Sequence, residues 1–390
     1  MRILFIPTAD SVSDLMLAFT ELGYDVSYIP DFQVNPVAPC ENDYSTIKAA
    51  IENVVPDCVV SYMFIPIVSE ISHHYGIPYI SWTYDSPLTS LFTPEIKNDN
   101  NYVFVFDKSE CARLKAAVSA NIYYLPLGAY VTRIGSIDIT DEDIAKYSAD
   151  ISFVGTLYRE NPYNLYSPYL DEQTGQEMNR YLIANSSRWS LPKPWPRLSD
   201  SSVSSMKSTF ESMIANSTLM NDNEYLAIMF LSKKLAEIDR ITCLNALATH
   251  HSVSLYTNDA SHPALSGNVH CHGRVNYETE MSKVFYSSKV NLNITLPSIE
   301  SGIPQRIYDI MACGGFCLSN YQTEMDELFT IGRDIEAFRS VEELLDKTDY
   351  YLKHEDERLR IAINGYKLIK EKHTIQHRVN EMLQIVSLTK

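Results

Sequence analysis

The chain has 390 residues, enough for two domains of ordinary size, and 45% hydrophobic with 21% charged residues is the composition of a globular protein. Its 32 Lys and Arg against 49 Asp and Glu give a net charge of −17, which argues against a broad nucleic-acid surface or an anionic membrane as partner. No stretch approaches the ~18 uninterrupted apolar residues of a membrane helix, and Met1 to Pro7 is too short for a signal-peptide core, so the expected compartment is the cytoplasm.

In chain order, the first third alternates strands and helices. Strands are predicted over Arg2 to Pro7, Gly23 to Pro30, Cys58 to Tyr62, Pro78 to Trp82, Tyr102 to Phe106 and Asn121 to Leu125. Helices fit between them, over Ser11 to Leu22, Thr46 to Asn53, Ile67 to His74 and Lys108 to Ser119. Such alternation predicts a parallel sheet covered on both faces, a Rossmann-like opening without its glycine fingerprint. A charged segment, Ile137 to Lys146, precedes a fresh strand at Asp150 to Gly155, which places a domain boundary near residue 148: residues 1–147, then 148–373. A polar interval at about 160–222, with Pro192-Lys-Pro-Trp-Pro196 and a serine-rich run, reads as an insertion of helices and loops, a lid or an acceptor-facing surface. Glu224 to Ala248 reads as a long amphipathic helix. The strand rhythm then resumes at Ser252 to Tyr256, Asn268 to Cys271, Lys289 to Thr295 and Phe316 to Asn320. The tail is two helices broken near Lys372 to Thr374, the last of which, at about 374–390, is a candidate to pack back on the first domain.

Within this frame Ser298 to Gly315 is a strand-to-helix turn suited to an anion. Pro304 fits the first helical position and Gly314-Gly315 the left-handed stop. A helix start carries partial positive charge that favours phosphate. Arg306 stands in the first turn, and Asp309, three residues on, shares its face. Strand, Gly-Pro loop and helix are also ordinary α/β grammar.

The runs Asn268-Val-His-Cys-His-Gly-Arg-Val275, Glu280 to Ile294 and Gly302-Ile-Pro-Gln-Arg-Ile-Tyr-Asp309 make the C-terminal half resemble the nucleotide-sugar glycosyltransferases of the GT-B architecture. That fold has two Rossmann-like domains whose parallel sheets face a cleft. More narrowly, Gly302 to Phe316 is similar to the CgeB-like spore-maturation branch, and Ser81-Trp-Thr-Tyr-Asp-Ser-Pro87 resembles the domain that often precedes it. The resemblance implies that Gly273, Arg274 and Val275 contact the base, and that Ser301, Gly302, Ile303, Arg306 and Asp309 form the diphosphate and ribose end. It also implies retention of anomeric configuration. Two departures stand out. The family's paired glutamates fall on Ser301 and Asp309, with Glu300 one place out of register. Its phosphate-binding Arg and Lys after the Phe-x-Gly strand are missing, Phe153 to Arg159 offering only Arg159.

A leaving diphosphate needs its developing charge stabilised, which the helix start with Arg306 and Arg274 would supply without a metal. Asp141-Glu-Asp143 has the Asp-x-Asp form of metal-dependent transferases, yet it follows Thr140 and reads as a capped first turn. No His or Cys spacing fits a metal site, and no cofactor is expected. The seven cysteines, odd in number and without a Cys-x-x-Cys pair, read as reduced core thiols. On the N-terminal side Asp85 is the first candidate for a catalytic or acceptor-orienting group and Asp10 the second; each also reads as an ordinary turn or cap residue. Trp82 and Tyr84 offer aromatic faces to a sugar, with core packing as the other reading of Trp82. Tyr158, Tyr163, Tyr166 and Tyr169 suit a tyrosine-lined cleft. The expected activity is transfer from a UDP-linked sugar to a protein surface, such as flagellin or spore coat, or to a glycan. A non-catalytic binding or coat-associated protein and a nucleotide-sugar epimerase are the alternatives.

Overall fold

The structure is a computed structural model describing residues 1–8, 14–35, 40–118, 120–189, 195–196, 198–209, 223–259 and 262–388. The described residues divide into two compact units, one holding Met1–Tyr130 and 373–388, the other 131–209 and 223–372.

In the first unit β1 (Arg2–Ile6), β2 (Asp25–Tyr28), β3 (Cys58–Tyr62), β4 (Tyr79–Trp82), β5 (Asn101–Val105) and β6 (Ile122–Tyr124) form one parallel sheet in the order β2-β1-β3-β4-β5-β6. β3, β4 and β5 are buried at every residue, the pattern of strands covered on both faces. The helix predicted from Ser11 is described over Asp14–Glu21. The helix predicted from Thr46 spans Glu41–Val54, a turn longer, because Asp43 reaches back to accept from the Cys40 N–H at 2.7 Å. After Lys372 the chain returns to this unit: the Ala129 N–H donates to His373 O at 2.9 Å and the Ile375 N–H to Ala129 O at 3.0 Å. Helix Ile375–Leu388 then packs on Asp14–Glu21.

In the second unit β7 (Ala149–Val154), β8 (Val253–Tyr256), β9 (Val269–Cys271), β10 (Ser288–Asn293), β11 (Cys317–Asn320) and β12 (Glu336–Phe338) are again all parallel, in the order β12-β11-β10-β7-β8-β9. Ile151, Phe153, Leu255, Leu292 and Leu318 fill its core. Its first strand is central: from β7 the chain builds outward to β8 and β9, then restarts on the other side with β10. Ligands of such sheets bind beyond the carboxyl ends of the strands where the order reverses, here β7 and β10.

Four sequence expectations change. The division falls at Val131, ahead of the charged segment rather than after it. Helix Asp141–Tyr147 lies in the second unit because Asp143 pairs with Lys283 at 2.9 Å and the Tyr147 hydroxyl donates to Glu280 at 2.8 Å. The long helix, Asn223–Leu247, is enclosed rather than one-faced: the sheet side covers Leu244 and Leu247, while the insertion's helices Pro162–Tyr166 and Glu172–Asn185 pack on its outer side. β12 carries no strand signature, since a three-residue Glu-Ala-Phe run holds a buried Glu336 that Lys347 and Tyr351 neutralise and bond at 2.8 and 2.6 Å. Lastly, Pro304 is the residue before helix Gln305–Ala312 rather than its first, with an extended ψ of 153°.

The glycine pair ending that helix serves two needs. Gly314 has φ +74°, the left-handed stop. Gly315 lets the chain pass close to β10: a Cβ there would lie 2.7 Å from both Phe285 O and Asn291 Nδ2. Asn291 uses that gap to donate to Phe285 O at 2.9 Å while accepting from Ser152 on β7 at 2.9 Å. Gly315→Ala is therefore expected to destabilise the protein by ~1–3 kcal/mol, the usual cost of overpacking, and to lower the thermal midpoint. An unchanged midpoint would contradict the close approach.

Candidate functional site

The carboxyl ends of β7 and β10 are joined by a side chain from the long helix. Arg240, 8% exposed, donates through Nη1 to Thr156 O at 2.5 Å and through Nε and Nη2 to Ile294 O at 3.3 and 2.8 Å. Its guanidinium also lies over the rings of Tyr158, at 4.6 Å, and Phe153, at 5.4 Å. Burial lowers its pKa from the ordinary arginine value, and the nearby charge of Arg306 acts in the same direction. The switch point is thus backed by a desolvated cation.

Above it opens a cavity of about 330 Å³ lined by the ends of β7 and β8 (Gly155, Thr156, Thr257) and by Arg274, Tyr277 and Arg306. Helix Gln305–Ala312 brings Arg306 to this wall with its N-terminus. The guanidinium pairs with Asp309 at 3.5 Å, one turn on as the spacing predicts, lies 5.6 Å from the Phe285 ring centre and contacts the Met281 sulfur. Asp309 itself is 2% exposed and lies behind the lining rather than on it. It accepts from the Tyr277 hydroxyl at 3.2 Å and from Gln305 Nε2 at 3.0 Å, so it orders Tyr277, which does line the cavity. The Arg133 guanidinium lies over the Tyr277 ring at 4.5 Å.

The second wall comes from the turn after β9. Gly273 has φ +79°, a conformation that swings Arg274 and Val275 toward the cavity. Just before it, His272 stacks on Tyr256 with ring centres 4.9 Å apart and an interplanar angle of 23°. Burial, then the charge of His270, holds His272 below the ordinary imidazole range, so it is neutral at pH 7.

The loop between β10 and helix Gln305–Ala312 carries the remaining expected residues. Ser301 is buried and donates to Glu324 Oε1 at 2.8 Å, while the Glu324 N–H returns to Ser301 O at 3.2 Å. A carboxylate from the stretch after β11 therefore stands beside the serine. Gly302 is buried, and the Ile303 side chain is in the core at 1% exposure, so Ile303 can offer only backbone to a ligand. Glu300 is half-buried and accepts from the Trp195 indole N–H at 3.0 Å.

In the first unit Tyr84 and Asp85 follow β4, Tyr84 half-buried with its ring edge-on to Tyr62 at 5.3 Å and Asp85 exposed. Trp82 is a core residue, stacked on Tyr62 at 6.0 Å and donating to Leu125 O at 3.3 Å. Asp10 lies outside the described residues. The tyrosine cluster is dispersed: Tyr163 packs on Phe230, Tyr158 on Arg240, and Tyr169 is exposed. Arg159 is exposed and is not on the cavity wall. Sequence reasoning missed Arg240 and Tyr277. Arg240 bonds carbonyls far away in sequence, a relation that no local spacing reveals.

Each unit is a parallel α/β sheet, and together they define the GT-B fold. Solved structures match the chain over essentially its whole length. Sucrose-phosphate synthase from Thermosynechococcus elongatus is 11% identical, with a TM-score of 0.56 over 100% of both chains. Anabaena HepE in complex with UDP and glucose is 10% identical, with 0.56 over 99% of each. T4 phage BGT in complex with its UDP-glucose substrate is 13% identical, with 0.52 over 99% of this chain and 98% of that one. At such identities the likeness concerns the fold. Residues 236–384, which include Arg240, the 273–277 turn, Arg306 and Asp309 but not the insertion, match the family described as glycosyl transferase-like. No curated protein sequence matches the chain. Among the described residues no helix is long and apolar enough to cross a membrane.

Asp143 is a cap: it accepts from the Thr140 N–H at 3.1 Å while Thr140 Oγ1 accepts from its own N–H at 3.2 Å. The Lys283 ammonium, then the Thr140 backbone, holds its carboxyl down at about 2. A carboxylate depressed in the folded state stabilises above its unfolded pKa and loses that contribution as pH falls toward 2. Lys283→Met should move its titration up toward the ordinary ~3.9, read by carboxyl-carbon NMR shifts. No movement would show that the ion pair does not form in solution.

Proposed function

We propose that the chain is a glycosyltransferase whose donor is a UDP-linked sugar, bound in the second unit at the β7/β10 switch point. The observation that carries this reading is the cavity there, walled by Arg306 at a helix N-terminus on one side and by the Arg274-Val275 turn on the other. The glycosyl transferase-like match over residues 236–384 and the UDP or UDP-glucose in two structures of the same fold support it.

In this reading the diphosphate lies at the start of helix Gln305–Ala312. Arg306 exchanges its contact with the Met281 sulfur for a charge-assisted bond to phosphate, and Asp309 sets the direction from which it reaches. The buried charge of Arg240 raises the positive potential behind Gly155 and Thr156, standing in for the arginine and lysine missing after β7. As the bond to the sugar breaks, negative charge grows on the diphosphate, and these fixed cations and the helix dipole stabilise it. Gly273, Arg274 and Val275 hold the base, and retention of configuration follows from the resemblance of this half. Asp85, exposed at the carboxyl end of β4, is the candidate to orient the acceptor. The CgeB-like run at 302–316 favours a protein surface as acceptor over a glycan. Seven free thiols suit a reducing, cytoplasmic setting.

Calorimetry with UDP tests the donor site. Arg306→Ala should weaken binding by ~1.5–3 kcal/mol, about ten- to a hundredfold. The wild-type affinity and turnover should persist in EDTA, because protein cations supply the charge. Equal affinity in wild type and variant would remove Arg306 from the site, and loss of turnover on chelation would replace the cationic scheme with a metal-dependent one.

A further inference from the structure

The inner face of helix Glu355–Lys372 is packed. Ile361, Ala362, Gly365 and Ile369 are buried on it, against helix Gln305–Ala312 and the turn at 332–334, where Gly365 lets Asp334 O come closer than any Cβ would allow. Asn364 Nδ2 donates to Arg333 O at 3.1 Å beside them. The outer face differs: Leu359 is 48% exposed, Ile363 52% and Tyr366 37%. A lone exposed leucine is ordinary on a protein surface, but these three lie on one line. With Asp356 before them and Lys370 after, the steps are 3, 4, 3 and 4 residues, the spacing of a seam between two packed helices. Charge along this helix is divided. Glu355, Asp356 and Glu357 fill its first turn, while Lys367, Lys370 and Lys372 outnumber Glu371 toward its end, a polarity that suits the helix dipole. Glu355 and Glu357 pair within the helix with Arg358 and Arg360, at 3.3 Å each. Asp356, Lys367 and Lys370 are exposed and form no ion pair among the described residues.

We propose that this stripe is the contact face of a homodimer, in which two copies of helix Glu355–Lys372 pair antiparallel about a twofold axis at Ile363. A second copy is the occupant because the charge pattern is complementary to itself when reversed. Asp356 and Lys370 each stand seven residues, about two turns, from Ile363, so the reversal sets Asp356 of one copy against Lys370 of the other at both ends. Between these ion pairs Leu359 of one copy packs on Tyr366 of the other, and Ile363 meets its own image on the axis. A parallel pairing would instead oppose lysine to lysine and aspartate to aspartate, which is unfavourable. The helix has 18 residues, about 27 Å, so the contact falls below the ~1,200 Å² of a standard stable interface, and the dimer is a weak, reversible one. The stripe faces away from helix Gln305–Ala312, so pairing leaves the wall that bears Arg306 untouched.

Sedimentation velocity of the full chain, from about 1 μM to about 500 μM, tests this. Wild type should shift from monomer to dimer with concentration, with a Kd between ~10 μM and ~1 mM. Ile363→Glu, at an exposed position, sets two like charges on the axis and should weaken association at least about tenfold with the thermal midpoint unchanged. Asp356→Lys and Lys370→Asp should each loosen the dimer. The double swap should restore it, and an equimolar mixture of the two single variants should form the heterodimer. These swaps keep the test decisive should Ile363→Glu fold poorly. A wild type that stays monomeric over the whole range, a dimer that Ile363→Glu leaves intact, or a double swap no tighter than the single variants overturns the proposal.

Discussion

A buried guanidinium bridging two strand ends is the constraint on which the second unit depends. β7 and β10 are neighbours in the sheet but far apart in the chain, and the crevice beyond them exists because the loops leaving them diverge. Arg240 holds the carbonyls at both exits, Thr156 and Ile294, and so sets the floor of that crevice. Removing its charge would leave two carbonyls short of a donor in a desolvated place, a cost of ~1–3 kcal/mol for each unsatisfied group. A cation so confined also biases what can bind above it.

The same helix serves a second purpose. Arg240 faces the switch point, while Glu237 and Asp239, within one turn of it, hold the insertion by its first turn and by Ser187. Opposite charges on one largely buried helix thus tie the β7/β10 switch point to the insertion. Burial of most of a helix so long and charged, with Lys233 and Thr242 left exposed, follows from this double duty.

The strands were legible where burial on both faces left continuous apolar runs, as in β3 and β5, and their parallel order followed from alternation with helices. β12 was not, because its glutamate is buried by partners that arrive from helix Val341–Lys353. In the site, the helix of Arg306 and Asp309 could be read from Gly302-x-Pro304 and a three-residue spacing, and the 273–275 turn from its glycine. Arg240 could not, since a lone arginine in a helix pattern looks like a solvated face until tertiary packing encloses it. Glu300 was seen as a displaced acid, and Trp195 as part of a proline-rich loop; that they meet is a fact of the fold alone.

The most direct measurement is a crystal structure of the protein with UDP. The diphosphate is expected within hydrogen-bond distance of the Arg306 guanidinium at the start of helix Gln305–Ala312, and the uracil against the turn at Gly273 to Val275. UDP bound elsewhere, with Arg306 still turned to Asp309 and Met281, would contradict the donor-site reading.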